Sequence, residues 1–208
     1  MADVSPVSPS KAQARRQQIL DAACDCVRRA GFHGASMAEI AQAAGLSVGQ
    51  IYRYFENKEA IVAAIVAQDL AEMREKFAEF ESADEPFHEV VIGQVSQALD
   101  RNYDPNRAAL VMEVLAEAAR NPRVAAIVRD ADKVERELGR TLLKRILGDD
   151  RGETELAARS EVLSMLFDGM VSRGINNPDS DRAAISVVLQ AVLRLLFTGP
   201  PLNEAPSA

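Results

Sequence analysis

The sequence predicts an all-α protein of about nine helices, in which a small N-terminal unit precedes a larger helical body. Three observations support this. Ala, Leu, Glu and Arg are abundant, while aromatic residues make up 5% of the 208 residues and Trp is absent. Apolar positions recur at three- and four-residue spacings, and strand-like alternation is scarce. Proline, serine, asparagine and aspartate punctuate the chain where helices are expected to start. A hydrophobic share of 48% is enough for a sizeable core.

Residues 1–10 interleave proline and serine and read as a disordered arm. Ser10 and Gln13 then form a capping-box pair for a long first helix, with Ile19, Leu20, Ala23, Val27 and Ala30 on its apolar face. Ser36, three residues before Glu39, repeats the box for a second helix carrying Met37, Ile40, Ala41 and Ala44. Gly45 suits the left-handed position after a helix, Leu46 plugs the turn, and Ser47 with Gln50 starts a third helix at about Val48. On that helix Val48, Ile51 and Phe55 are expected to face inward, leaving Gln50, Arg53 and Tyr54 outside. Asn57 is placed to cap the next helix, and Lys58 in its first turn can meet a phosphate beside helix-start amides. Two short helices joined by a glycine turn, with aromatic and basic side chains on the second, have the layout of a helix-turn-helix. Residues 11–57 are therefore read as a DNA-binding domain, although the same pattern alone also fits a protein-binding adaptor.

A connecting helix over 58–82 carries Val62, Val66, Leu70, Met73, Phe77 and Phe80, and Asp84, Glu85 and Pro86 break it. Further helices at about 86–103, 106–121, 122–147, 153–175 and 181–197 fill a domain over 83–198, and 199–208 reads as a loose tail. Pro86, Pro105 and Pro122 each fit a helix's first turn, and Pro178 ends a short loop.

The formal charge of −7 looks wrong for a DNA binder until it is divided. Residues 1–58 hold seven Lys and Arg against five Asp and Glu, a balance of +2, which leaves −9 on the remainder. The basic surface made by Lys11, Arg15, Arg16, Arg53 and Lys58 implies salt-dependent binding that is weak for a single copy. Cys24 and Cys26 lie two apart on a helix and face different ways, and His33 and His88 are isolated, so neither a disulfide nor a metal site is expected. No apolar run reaches membrane-span length and no signal peptide opens the chain, so a cytoplasmic protein is expected. The sequence contains no catalytic triad, metal-ligand cluster or phosphate-cradling glycine loop, which argues against an enzyme.

The run Gly45, Leu46, Ser47, Val48, Gly49, Ile51, Tyr52, Tyr54, Phe55, Asn57, Lys58, Glu59 follows Gly31, Phe32, Ala35, Ser36, Ile40 and Ala41 at a fixed distance. Over about Ala12 to Val66 it closely resembles the DNA-binding domain of TetR-family (TetR/AcrR-like) transcriptional regulators. Ser36 stands where threonine is usual, Ile51 where leucine is, and Gln50 where a small residue is common. The resemblance implies base contacts by Gln50 and Tyr52, with Val48, Gly49 and Arg53 as further candidates. It also implies phosphate contacts by Ser36, Tyr54 and Lys58. Glutamine can pair bidentately with adenine, so Gln50 is expected to shape the choice of operator. The block Val111 to Asp130, with the run Phe32 to Met37, is also similar to the choline-responsive and glucuronide-responsive repressors of the family.

The last two helices are apolar on more than one stripe, with Val162, Leu163, Leu166, Phe167, Met170 and Val171 on one and Ile185, Val188, Leu189, Val192, Leu193, Leu195 and Leu196 on the other. The residues alone leave a buried monomeric core and a partner surface equally open. The resemblance implies a homodimer through a four-helix bundle, with Val162, Leu166, Met170, Leu189, Val192, Leu193 and Leu196 at the interface. Gly169 and Gly174 would permit close helix approach. It further implies a double-stranded DNA operator as partner and a pocket for a small-molecule effector whose lining includes Phe77, Phe87, Tyr103, Met112 and Phe167. No cofactor is implied, and repression is the expected sign of control.

Overall fold

Side-chain caps set where the N-terminal helices begin. In the computed structural model, which describes residues 10–81, 85–148 and 151–201, Ser10 Oγ accepts from the Gln13 N–H at 3.2 Å and Gln13 Oε1 accepts from the Ser10 N–H at 2.8 Å. This box opens α1 (Lys11–Gly34), whose last turn is offset at Gly31, where φ is 71°. The offset turns Phe32 inward, to 3% exposure. Ser36 and Glu39 make the same reciprocal pair for α2 (Met37–Ala43), and Gly45 follows it at φ 64°. Ser47 and Gln50 open α3 (Val48–Ile51), which continues to Phe55 as hydrogen-bonded turns. Asn57 Oδ1 accepts from the Ala60 N–H at 2.8 Å and so caps α4 (Lys58–Glu81).

The expected helix over 86–103 is two helices, α5 (Phe87–Gly93) and α6 (Val95–Asn102). The backbone tightens after Gly93, where the Gln94 N–H bonds to the Val91 carbonyl at 3.2 Å. Ile92 and Val95, on either side of the break, both enter the core. Asp104 caps α7 (Pro105–Ala118) and Asn121 caps α8 (Pro122–Leu147), each with proline in the first turn. After Gly152 comes α9 (Glu153–Asn176), and Asp181 caps α10 (Arg182–Thr198). The described residues thus hold ten helices rather than nine, and no strand. The expected arm, apart from Ser10, lies outside the described residues, as do Asp84 and the tail beyond residue 201.

Three apolar clusters hold these helices together. The first joins α1, α2, α3 and the start of α4 around Ile19, Ala23, Cys26, Ile40, Ile51, Phe55 and Ile61. Ala30, expected on the apolar face of α1, is exposed instead. The second cluster joins α5, α6, α8, α9 and α10 around Leu99, Leu143, Leu156, Leu193 and Phe197. Here Gly174 lets α9 approach the end of α6, since a Cβ would stand 2.9 Å from Tyr103 Cα; Gly169, by contrast, faces open space. Arg159, only 5% exposed, pairs with Glu155 and donates to the carbonyls of Leu195, Leu196 and Pro200, which closes the end of α10. The third cluster, Phe32, Val62, Val114 and Val124, lies between the other two and forms the joint between them. No helix among the described residues is long and apolar enough to cross a membrane, and none of their acidic, histidine and cysteine groups could hold a metal.

Candidate nucleic-acid interface

The reader segment is held from beneath and open above. Ile51 is fully buried and Phe55 3% exposed, and the Arg16 guanidinium lies 4.4 Å over the Phe55 ring while donating to the Tyr54 carbonyl at 3.1 Å. Gln18 Nε2 donates to the Ala44 carbonyl at 2.7 Å and ties the end of α2 to α1. Two expectations need correction. Val48 is 46% exposed, because it begins α3 directly after its cap and Leu46 and Ile51 take the inward places. Tyr54 is half-buried against the first cluster rather than on the outer face.

The outer face is therefore Val48, Gly49, Gln50, Tyr52 and Arg53, all exposed. A Cβ on Gly49 would meet nothing within 4 Å, so the surface above it is open. Gln50 is partly committed: its Oε1 accepts from the Ser47 N–H at 2.8 Å and its own N–H donates to Ser47 Oγ at 3.3 Å. Ser36 has the same arrangement with Glu39, and this bonding holds the Glu39 carboxyl below the usual glutamate range.

Lys58, expected at a phosphate, is engaged within the protein. Its ammonium lies 4.1 Å over the Phe32 ring and donates to the Phe32 carbonyl. Burial lowers its pKa, and Glu117, Glu59 and Glu39 offset part of that. The reason is the joint, which the sequence reading missed. Glu113 accepts from the Phe32 N–H at 3.2 Å, and Glu117, only 2% exposed, accepts from Arg120 at 2.8 Å and Asn121 at 3.0 Å and lies 3.2 Å from His33 Nδ1. Burial raises the Glu117 pKa, but the Asn121 and Arg120 hydrogen bonds and the charges of His33 and Arg120 bring it below the ordinary value. The available signal was the i, i+4 spacing of Glu113 and Glu117 just before Asn121 and Pro122.

Of the expected effector-pocket residues, Tyr103 is in the second cluster, and Phe77, Phe87 and Phe167 pack against it. Met112 is half-buried on α7, outside that cluster. A separate cleft of about 250 Å³ lies between α1, α4 and the start of α7, lined by Leu20, Cys24, Ile65, Asp69, Arg107 and their neighbours, and none of the five expected residues faces it. Burial pushes the Cys24 thiol there up to about 11. Sequence reading also missed Glu135 on α8 and Asp168 on α9, whose carboxyls are raised first by desolvation and then by nearby acids, Asp168 itself acting on Glu135.

The expected interface residues divide. Met170, Leu189 and Leu193 belong to this chain's own core, at 7%, 9% and 1% exposure, and Leu166 and Leu196 pack against it. Val162 and Val192 are exposed, together with Met165, Val187, Val188 and Leu195, which the reading did not place at the interface.

The pattern of "Bacterial regulatory proteins, tetR family" matches residues 19–65, which contain α2, α3 and the start of α4. The chain is 35% identical to the HTH-type transcriptional regulator UidR of Escherichia coli (strain K12) over 122 residues, covering 58% of this chain and 60% of that one. Among solved structures it is similar to Salmonella enterica GusR, with a TM-score of 0.72 at 23% identity over 90% of this chain and 97% of that one. It is also similar to FadR from Bacillus subtilis in complex with stearoyl-CoA, with a TM-score of 0.71 at 22% identity over 88% and 98%. The helix-turn-helix of α2 and α3 thus lies within a region, residues 19–65, that matches the TetR family of bacterial regulatory proteins, and the larger helical body has the fold of the solved structures it resembles.

Proposed function

We propose that the protein is a ligand-responsive transcriptional repressor that binds a palindromic operator as a homodimer and is released by a small-molecule effector. The observation that carries this reading is the outer face of α3, where Gly49, Gln50, Tyr52 and Arg53 stand exposed above a fully buried Ile51. A short, rigidly seated helix with a polar outer face suits entry into a major groove, where Tyr52, Arg53 and Gln50 would meet base edges. Ser36 and Tyr54 would meet phosphates; Lys58 would do so only on leaving Phe32.

The exposed apolar strip on α9 and α10 supports pairing with a second copy, centred on Val187, Val188, Val192, Leu195, Val162 and Met165. Two linked readers also compensate for the few phosphate contacts one copy offers. The stearoyl-CoA named for FadR is that protein's ligand; for this chain it favours an effector held within the helical body. The joint of Phe32, Lys58, Glu113 and Glu117 would carry a shift of α7 to the reader helices, limited by the effector's preference between the two states. Selection of bound duplexes from a random palindromic library tests the reading. Enrichment of one inverted repeat, with binding that weakens as salt rises, is expected; retention of duplexes without sequence preference would overturn it.

A further inference from the structure

We propose that the cleft between α1, α4 and the start of α7 binds a small zwitterion, an α-amino acid with an aliphatic side chain, at a site separate from the aromatic residues expected to line an effector pocket. The inference stands independently of the DNA-reading role. The cleft holds about 250 Å³, the liquid share of about eight waters, which suits a molecule of about ten non-hydrogen atoms. Leu20 on α1, Ile65 on α4 and Leu110 on α7 give it an apolar lining. Two of its walls carry both signs of charge: Asp21 with Arg28 on α1, and Asp104 with Arg107 where α7 begins. Because α1 belongs to the reader unit and α7 to the larger body, an occupant bridges the two.

Arg107 supplies donors for a carboxylate. Its Nη1 is spent on Asp69, 2.8 Å from Oδ1 and 3.1 Å from Oδ2, but Nε is enclosed without an acceptor and Nη2 donates to no group among the described residues. Nε and Nη2 form the edge of a guanidinium that takes a carboxylate side-on, and a buried N–H without a partner is rare in folded proteins. An entering carboxylate meets Nη2, and a small turn of the guanidinium adds Nε. Asp21 and Asp104 supply acceptors for an ammonium. Gln17 donates to one Asp21 oxygen at 2.9 Å and the Arg107 N–H to one Asp104 oxygen at 2.7 Å, which leaves the second oxygen of each without a donor among the described residues. Asp69 adds no unpaired charge, because Arg101 and Arg107 both bind it. The Cys24 thiol, pushed up to about 11 by burial, stays neutral near pH 7. A plain anion would face two carboxylates, and a plain cation would leave the Arg107 donors unused; a molecule with both charges answers both walls.

The test gives the full-length protein L-leucine, isocaproate and isoamylamine, the last two being leucine without its ammonium and without its carboxylate. Calorimetry is expected to show saturable binding of L-leucine, and binding at least about tenfold weaker for each of the others. Asp21→Asn keeps an oxygen for Gln17 and loses the charge; Arg107→Lys keeps a charge for Asp69 and loses the Nε and Nη2 donors. Each is expected to weaken L-leucine binding about tenfold. Melting of the unliganded variants reports whether the fold survives, and if Arg107→Lys melts early, Asp21→Asn, at an exposed position, carries the comparison. Cys24 reports the location. L-leucine at about ten times its Kd is expected to slow alkylation of Cys24 by iodoacetamide about tenfold, read by peptide mass. Isocaproate or isoamylamine binding as tightly as L-leucine overturns the zwitterion. L-leucine binding that neither variant weakens, with Cys24 alkylated at an unchanged rate, overturns the site, and absence of L-leucine binding overturns both.

Discussion

The outer faces of α3 and α10 are both exposed, yet water treats them differently. On α3 the exposed groups are an amide, a phenol and a guanidinium on Gln50, Tyr52 and Arg53, all of which water can satisfy. On α10, Val187, Val188 and Leu195 are 65–69% exposed and offer water no hydrogen bond. A polar face can wait for an occasional partner, whereas an apolar strip of this kind favours a permanent one. The difference also separates the buried from the exposed side of α10. Leu193→Glu, at 1% exposure, is expected to cost more than about 4 kcal/mol and to prevent folding. Val188→Glu, at 65% exposure, is expected to leave the helix content intact and convert a dimer to monomers in sedimentation. A tight dimer in Val188→Glu and Leu195→Glu alike would remove this strip from the interface.

The α3 side of the comparison is tested by changes that alter binding and leave folding alone. Arg53→Ala and Tyr52→Ala are each expected to weaken operator binding by about 1–3 kcal/mol per half-site, with melting shifted by less than about 0.5 kcal/mol. Equal operator affinity in both variants and wild type would show that another face of the domain reads DNA.

The joint between these regions has its own pH signature. The folded-state pKa of Glu117 is lowered, so its contribution to stability is present above the ordinary glutamate value and is lost as pH falls through the folded value. Glu117→Gln is therefore expected to be less stable than wild type by about 1–3 kcal/mol near pH 7, and the gap is expected to shrink in acid. Thermal melts of both proteins across the acidic range measure it. A gap that stays constant would mean that Glu117 acts through its shape rather than its charge.

Local rules made most of the fold legible. The capping pairs at Ser10, Ser36 and Ser47, the left-handed Gly45 and the prolines at 105 and 122 all depend on neighbours within a few residues, and each stands where its spacing implies. What the sequence did not show depends on contacts distant in the chain. Lys58 binds a carbonyl 26 residues away, and Glu113 reaches Phe32 across 81. Helical spacing marked the last two helices as apolar on two sides, but it could not say that Leu189 and Leu193 face inward and Val187 and Val188 outward. That choice is set by where α5, α6 and α9 pack. Val48 was misplaced for a related reason: a helix of four residues is too short for periodicity to assign its first position.

The smallest predicted effect separates the two halves of the Ser47 cap. Ser47→Ala removes the oxygen that accepts from the Gln50 N–H but keeps the backbone N–H that holds the Gln50 amide oxygen. Stability is expected to fall by about 1 kcal/mol, as for loss of an N-cap side chain. Operator affinity is expected to fall only to the extent that α3 frays, and the selected operator sequence is expected to stay the same because the backbone N–H that holds the Gln50 amide oxygen remains. Denaturant melts measure the first effect and duplex selection the second. If Ser47→Ala instead changes the selected sequence, the hydroxyl rather than the backbone N–H orients the amide, and reader specificity depends on the complete capping box.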